Sequence, residues 1–285
     1  MQNISDRLLS IVRDISTAGY SDAALNITAS HVSGLTTGFK NIDSLTGGFQ
    51  RGEVILIAAP PLMWMTPFAI SLANKVLQQG LGIVYFSTFL SEDQIIKKLL
   101  SNYFRISTKN LLRGNINEEL DPIDQYPVKQ LYVDDTPELT AEIIREKLDS
   151  LIDNPGYVII DNLNLFERHL NISTTDKVLR IKGIARMYNI PVIVLYDTKA
   201  ISFEPALTQD QFVEIQQQEI FSELNKQLVD TLCMIYHPEY FKIVEDERGQ
   251  LTLGRADFII VKNDCGEGIA TFNFKHEFSL FQEIN

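Results

Sequence analysis

Thr66 stands after a tight turn that joins a strand-like run to a helix-like run in "LIAAPPLMWMTPFAISLANKV", residues 56 to 76. A strand, a turn and a helix in that order form the outline that grips nucleotide phosphates. In its working form, GxxxxGK[ST], glycines let backbone N–H groups approach the phosphates, a lysine neutralises them, and the hydroxyl holds Mg2+. This turn instead contains Trp64 and Met65, with no glycine and no lysine. The Thr66 hydroxyl also has a reading that needs no metal. Thr66 followed by Pro67 suits the N-cap and first residue of a helix that ends near Gly80.

Other reactive side chains are sparse. Cys233 and Cys265 are the two cysteines, far apart and inside or beside apolar runs. They read as buried or incidental thiols rather than as a disulfide framework or a metal cluster. The net charge of −12 argues against a broadly basic nucleic-acid-binding face. With 45% hydrophobic and 22% charged residues, the 285-residue chain reads as an ordinary globular protein, with one large domain favoured over two small ones. Apolar runs stop short of a membrane span, and Met1 leads into polar "QNISDR" rather than a secretory signal, so a cytoplasmic protein with no membrane partner is expected.

The elements that must position these residues follow from periodicity. Leu8, Ile11, Val12 and Ile15 share one face of a helix predicted over 5–18, with Ser5 as N-cap and Gly19 just past its end. Either a neighbouring subunit or the chain's own domain must cover that face. A polar linker follows, giving a boundary between 1–33 and a domain over 34–285. From residue 35 the pattern alternates strand and helix, as in a parallel sheet flanked by helices. Strands are predicted at 53–59, 82–88, 130–135, 157–161, 191–197, 231–237, 256–262 and 270–275. Helices are predicted near 67–79, 91–104, 140–152 and 174–188. The last two strands, joined through "NDCGEG", read as a terminal hairpin.

In this order the segments "GLTTGFKNIDSLTGGFQRGEVILIAAPP" (34–61), "LYVDDTPELT" (131–140), "VIIDNLNLF" (158–166), "NIPVIVLYD" (189–197) and "IYHPEYF" (235–241) resemble the C-terminal motor domain of bacterial replicative helicases of the DnaB type. The resemblance covers roughly residues 30 to 280. It implies an α/β, RecA-like P-loop NTPase fold: a mostly parallel central sheet, helices on both faces and a C-terminal β-hairpin. The helix at 5–18 takes the place of the family's inter-subunit linker helix, and the family's separate N-terminal domain has no counterpart in these residues.

The resemblance also assigns roles. The family's loop reads alanine-x-proline-x-x-glycine-lysine-threonine, so Ala59 and Pro61 fit, Trp64 replaces the second glycine, Met65 replaces the lysine, and Thr66 keeps the hydroxyl. Tryptophan is expected to remove access to positive φ and to fill the phosphate space, blocking it. Losing one charge-assisted hydrogen bond costs about 1.5–3 kcal/mol, roughly 10- to 150-fold in affinity. The glutamate that orients the attacking water aligns with Phe89; Glu92 or Glu142 would serve only after an unjustified shift. Asp161 matches the magnesium-assisting aspartate, though an acid at a strand end can equally cap the next turn. The γ-phosphate-sensing glutamine and the arginine after it fall on Asp197 and Ala200. The lysine and arginine finger supplied to a neighbour align with Lys262 and Asp264; an acid beside a triphosphate repels it.

The loops that reach single-stranded DNA in the family fall in residues 200 to 225, which hold no Lys or Arg but do hold Glu204, Asp210, Glu214, Glu219 and Glu223. These read as a solvated acidic face that makes single-stranded DNA a doubtful partner. The expectation is a degenerate DnaB-like domain linked to replication that has lost ATP hydrolysis. It would need no cofactor and act as an interaction or regulatory subunit, in a homo-oligomer or with a replicative helicase or related replication proteins. The alternative retains ATP and Mg through Thr66, Asp161 and Lys262 as a weak or partner-dependent ATPase. A sheet-edge pocket adapted to another small ligand is a third class.

Overall fold

A computed structural model describes residues 33–113, 126–127, 130–151, 155–201, 207–246 and 249–284. The helix predicted over 5–18, with Leu8, Ile11, Val12 and Ile15, lies outside them, as does Glu204.

Nine strands form one sheet in the order β3-β2-β4-β5-β1-β6-β7-β8-β9. They are β1 (Val54–Ala59), β2 (Ile83–Ser87), β3 (Leu131–Asp134), β4 (Tyr157–Asp161), β5 (Val192–Asp197), β6 (Thr231–Tyr236), β7 (Arg255–Lys262), β8 (Gly268–Lys275) and β9 (Leu280–Glu283). The first six pair in parallel and the last three antiparallel. Every residue of β1 is buried, as a central parallel strand covered on both faces requires. The expected β7–β8 hairpin forms and continues through β9, so the end of the sheet is a three-stranded meander.

Seven α-helices are described: α1 (Lys40–Thr46), α2 (Met65–Leu77), α3 (Glu92–Phe104), α4 (Thr108–Arg113), α5 (Ala141–Ser150), α6 (Thr174–Tyr188) and α7 (Gln209–Glu223). Helix α3 opens on a capping box between Ser91 and Gln94, and Thr140 and Ser173 cap α5 and α6 through their hydroxyls. Residues 209–223, read from the sequence as part of a DNA-facing loop, are helical. Their start carries a second capping box, Thr208 with Gln211. None of the described helices is long and apolar enough to cross a membrane.

The segment before β1 is a polar knot. Asp43, buried on α1, accepts hydrogen bonds from the Thr36 hydroxyl (2.6 Å), the Thr37 hydroxyl (2.8 Å) and the Thr37 backbone N–H (2.8 Å). Gly38 completes the turn at φ +80°, where a side chain would also meet Lys75 Cβ at 2.7 Å. The "TTGF" signature is thereby structural. Asp43→Ala leaves buried donors unpaired and is expected to lower stability by about 2–3 kcal/mol; urea unfolding curves for the two proteins check this.

Candidate functional site

The C-terminal ends of β1, β2, β4 and β5 converge on a cavity of about 490 Å3, where ligands of open parallel sheets bind. Its lining draws on the turn after β1 (Pro60, Leu62, Met63, Trp64), the start of α2 (Met65, Thr66, Pro67), Phe89 after β2, Lys98 on α3, Asp161 at the end of β4 and Asn162 after it, and Asp197 at the end of β5. The structure therefore brings together Trp64, Met65, Thr66, Phe89, Asp161 and Asp197.

The turn between β1 and α2 contains no glycine. Leu62 (φ 74°) and Trp64 (φ 62°) both occupy the left-handed region, so the expectation that tryptophan excludes positive φ is corrected. The compensation is aromatic. The indole lies 3.4 Å from the His237 ring centroid and 4.2 Å from that of Phe274, with His276 edge-on at 4.8 Å. The indole packs against Phe274 of β8 and Phe281 of β9 and forms one wall of the cavity.

Helix α2 begins two residues earlier than its sequence predicts, with Trp64 at the N-cap and no side-chain cap. Thr66 is thus inside the helix, and its predicted capping role is replaced by another. Its hydroxyl donates to Asp161 Oδ2 at 2.8 Å, and the Tyr85 hydroxyl donates to the same oxygen at 2.7 Å. Burial pushes the Asp161 carboxyl above its ordinary range against these two hydrogen bonds; nearby Asp197 pushes the same way, and Lys98 opposes.

Met65 is 7% exposed and belongs to the hydrophobic core, so the lysine position points no cation at the cavity. Phe89 is 80% exposed and carries no group able to polarise water. Glu92 and Glu142 do not reach the cavity. The first opens α3, and the second pairs with Arg145 (3.2 Å) and Arg180 (3.6 Å). Asp197 is committed locally: Asn162 Nδ2 donates to its carboxylate at 2.5 Å, while Asn164 bonds its backbone N–H and C=O at 2.9 and 2.8 Å. Ala200 is exposed and offers no side-chain donor.

Lys262 and Asp264 are not in this cavity. Because β7 runs antiparallel to β6, they lie at the opposite end of the sheet, about 20 Å away along β1. Lys262 Nζ donates to the carbonyls of Lys226 (3.0 Å) and Val229, and Asp264 is exposed in the β7–β8 turn. The acids of 200–225 are also less idle than a solvated face. Glu219 accepts the Lys199 N–H (2.7 Å), and Glu223 accepts the Tyr196 hydroxyl (2.9 Å) and pairs with Lys199 (3.3 Å), tying α7 to the end of β5; Asp210 and Glu214 remain on its surface. Cys233 is buried, with its thiol pushed up by burial, and Cys265 is exposed; both are free.

A magnesium triphosphate would meet Thr66 and Asp161 here, but no lysine and no glycine of the turn. Magnesium is held jointly by one or two protein ligands and the phosphates, and a loop without lysine or glycine offers the phosphates little. Among the described residues no group of three or more His, Cys, Asp or Glu side chains forms a metal site. The sequence reading missed Tyr85, Asn162, Asn164 and Lys98. The repeated asparagine in "DNLN" was the available signal for two of them.

His237 reports on the loop. Burial lowers its pKa from 6.5 to about 4, against the opposing pull of Glu239 at 3.4 Å. A depressed folded pKa means that the unfolded chain takes up a proton, as pH falls from 6.5 to 4, that the folded chain refuses; stability drops across that window. Trp64 is the single tryptophan. In a His276→Asn background, which removes one charge that lowers the His237 pKa, its fluorescence is expected to quench with a midpoint above pH 4 and below the ordinary 6.5, and His237→Gln is expected to remove the step.

Residues 34–283 match the family described as DnaB-like helicase C terminal domain. The chain is 28% identical over 269 residues to a probable replicative DNA helicase of Trieres chinensis, covering 86% of this chain and 56% of that protein. It is 26% identical over 300 residues to the replicative DNA helicase DnaC of Bacillus subtilis, covering 99% of this chain and 62% of that one. It therefore spans a little over half the length of these relatives. Among solved structures, an ATPase domain superposes with a TM-score of 0.77 at 20% identity over the full length of both chains. A DnaB-like replicative helicase, described with its interactions with primase, superposes with a TM-score of 0.74 at 21% identity, covering 97% of this chain and 71% of that one. These two likenesses concern the fold.

Proposed function

Since the chain belongs to the DnaB-like helicase C-terminal domain family, we propose that it acts in DNA replication as an ATPase-deficient member, serving as an interaction or regulatory subunit. The observation that carries this reading is Met65. At the place of the phosphate-binding lysine stands a buried thioether, which brings no charge to the cavity it helps to line. An exposed Phe89 in place of the water-orienting glutamate, and an acid, Asp264, in place of the finger arginine, support it in the same direction. The partners on this reading are copies of the same chain or a replicative helicase and its associated proteins, and the protein works in the cytoplasm. Its acidic α7 and net charge make single-stranded DNA a poor direct ligand.

A second reading is favoured by the open cavity and by Lys98 on its wall. On it, Thr66 and Asp161 still engage Mg-ATP, and a neighbour's Lys262 completes a weak, partner-dependent site. Phosphate release measured with and without an equimolar replicative helicase from the same cell separates the two. The first expects co-assembly by size-exclusion chromatography with no release beyond the helicase's own. Additional release that disappears in Thr66→Ala supports the second.

A further inference from the structure

A second pocket, of about 330 Å3, opens where the C-terminal half of α2 meets the end of α3 and strand β9, roughly 14 Å along α2 from Thr66. Its walls carry Lys40, Lys75 and Arg105, each from a different helix or helix end. The one carboxylate in its lining, Glu283, accepts the backbone N–H groups of Lys40 (3.1 Å) and Asn41 (2.6 Å). Among the described residues, none of the three cations forms an ion pair; Lys75 lies 5.8 Å from the centroid of the Phe39 ring. In a chain of net charge −12, three cations facing one concavity repel each other and focus positive potential there.

The floor beneath them is already built. Asn74 Nδ2 donates to Asn102 Oδ1 (2.9 Å), and Asn102 Nδ2 donates to Ser71 Oγ (3.0 Å) and the Ser279 carbonyl (2.8 Å). The buried polar groups are thus satisfied within the protein, and the cations above them are left for a ligand. Arg105 adds a backbone observation. It holds the C-cap of α3 at φ 57°, ψ 38°, a position that favours glycine or asparagine.

We propose that this pocket binds a phosphate-bearing anion of diphosphate size, with Arg105 and Lys75 as its principal contacts and Lys40 closing the third side. Guanidinium and ammonium groups recognise phosphate by charge-assisted hydrogen bonds, and the cavity suits a small anion rather than a duplex or an extended chain. The site is separate from the cavity at Trp64 and does not rest on whether that cavity has lost its nucleotide.

Calorimetric titration of the full chain with inorganic pyrophosphate in magnesium-free, low-salt buffer tests the proposal. One equivalent is expected to bind, with affinity reduced at least about tenfold in Lys75→Gln/Arg105→Gln and unchanged in Lys98→Gln. Circular dichroism confirms that the variants fold, and weakening between 50 and 300 mM NaCl in the unaltered protein gives a readout that needs no variant. ADP in parallel separates the sources: equal affinity points to a free diphosphate, tighter binding to a nucleotide. Failure of both anions to bind, binding indifferent to the Lys75/Arg105 pair, or loss only in Lys98→Gln overturns the proposal.

Discussion

Phe68→Ala is expected to destabilise the protein by about 3–5 kcal/mol, the range for deleting a large buried aromatic side chain. Phe68 is fully buried on α2 and stacks on Phe258 (4.6 Å) and Phe39 (5.6 Å), with Phe281 edge-on at 5.3 Å and Phe272 at 6.1 Å. These rings come from β7, the lead-in to α1, β9 and β8, so one side chain holds the loop-bearing helix against the meander. For a chain of this size the loss corresponds to a fall of about 6–20 °C in Tm. Phe89→Ala is the control. Its ring is exposed, and a change within about 0.5 kcal/mol is expected. Parallel thermal melts of the two variants measure the contrast.

The double substitution Trp64→Gly/Met65→Lys is expected to tighten Mg-ATP binding by about 10- to 150-fold over the parent, the value of one regained charge-assisted contact. Glycine at 64 also removes a left-handed tryptophan, relieving about 1–2 kcal/mol of backbone strain. Against this, the indole's contacts with His237 and Phe274 disappear, and a lysine at 65 must lay its stem over the core and extend its head into the cavity. Binding is expected to return without turnover, because Phe89 carries no group that orients water and, on the proposed reading, Asp264 would oppose the phosphates of a neighbour. Nucleotide-displacement fluorescence reads the first effect and phosphate release the second.

The sequence carried the parallel core well because its strands are continuous apolar runs with sharp boundaries; 157–161 and the helix 174–188 were legible to the residue. Helix α7 was not, since its glutamine-rich surface masks the apolar period and only the Thr208–Gln211 capping box marks its start. Strand β9 is four residues long and follows a turn held by Ser279 at positive φ, too short for a periodic signal. At the candidate site, the identities of the altered positions could be read in line, but their environment could not. The partnership of Thr66 with Asp161 and Tyr85 spans three strands' worth of chain, and the indole's position depends on rings supplied by residues 237, 274 and 276. Helix starts obey local propensity only when tertiary bonds do not compete for the same hydroxyl, which is why Thr66 left its predicted cap.

The proposed loss of triphosphate binding at the turn 60–66 is tested most directly by titrating the Lys75→Gln/Arg105→Gln variant, in which the second pocket is silenced and the turn is unaltered, with a non-hydrolysable Mg-ATP analogue while recording Trp64 emission and heat together. The account predicts no saturable change in either signal up to millimolar analogue. Saturable binding in the micromolar range, abolished by Thr66→Ala, would contradict it.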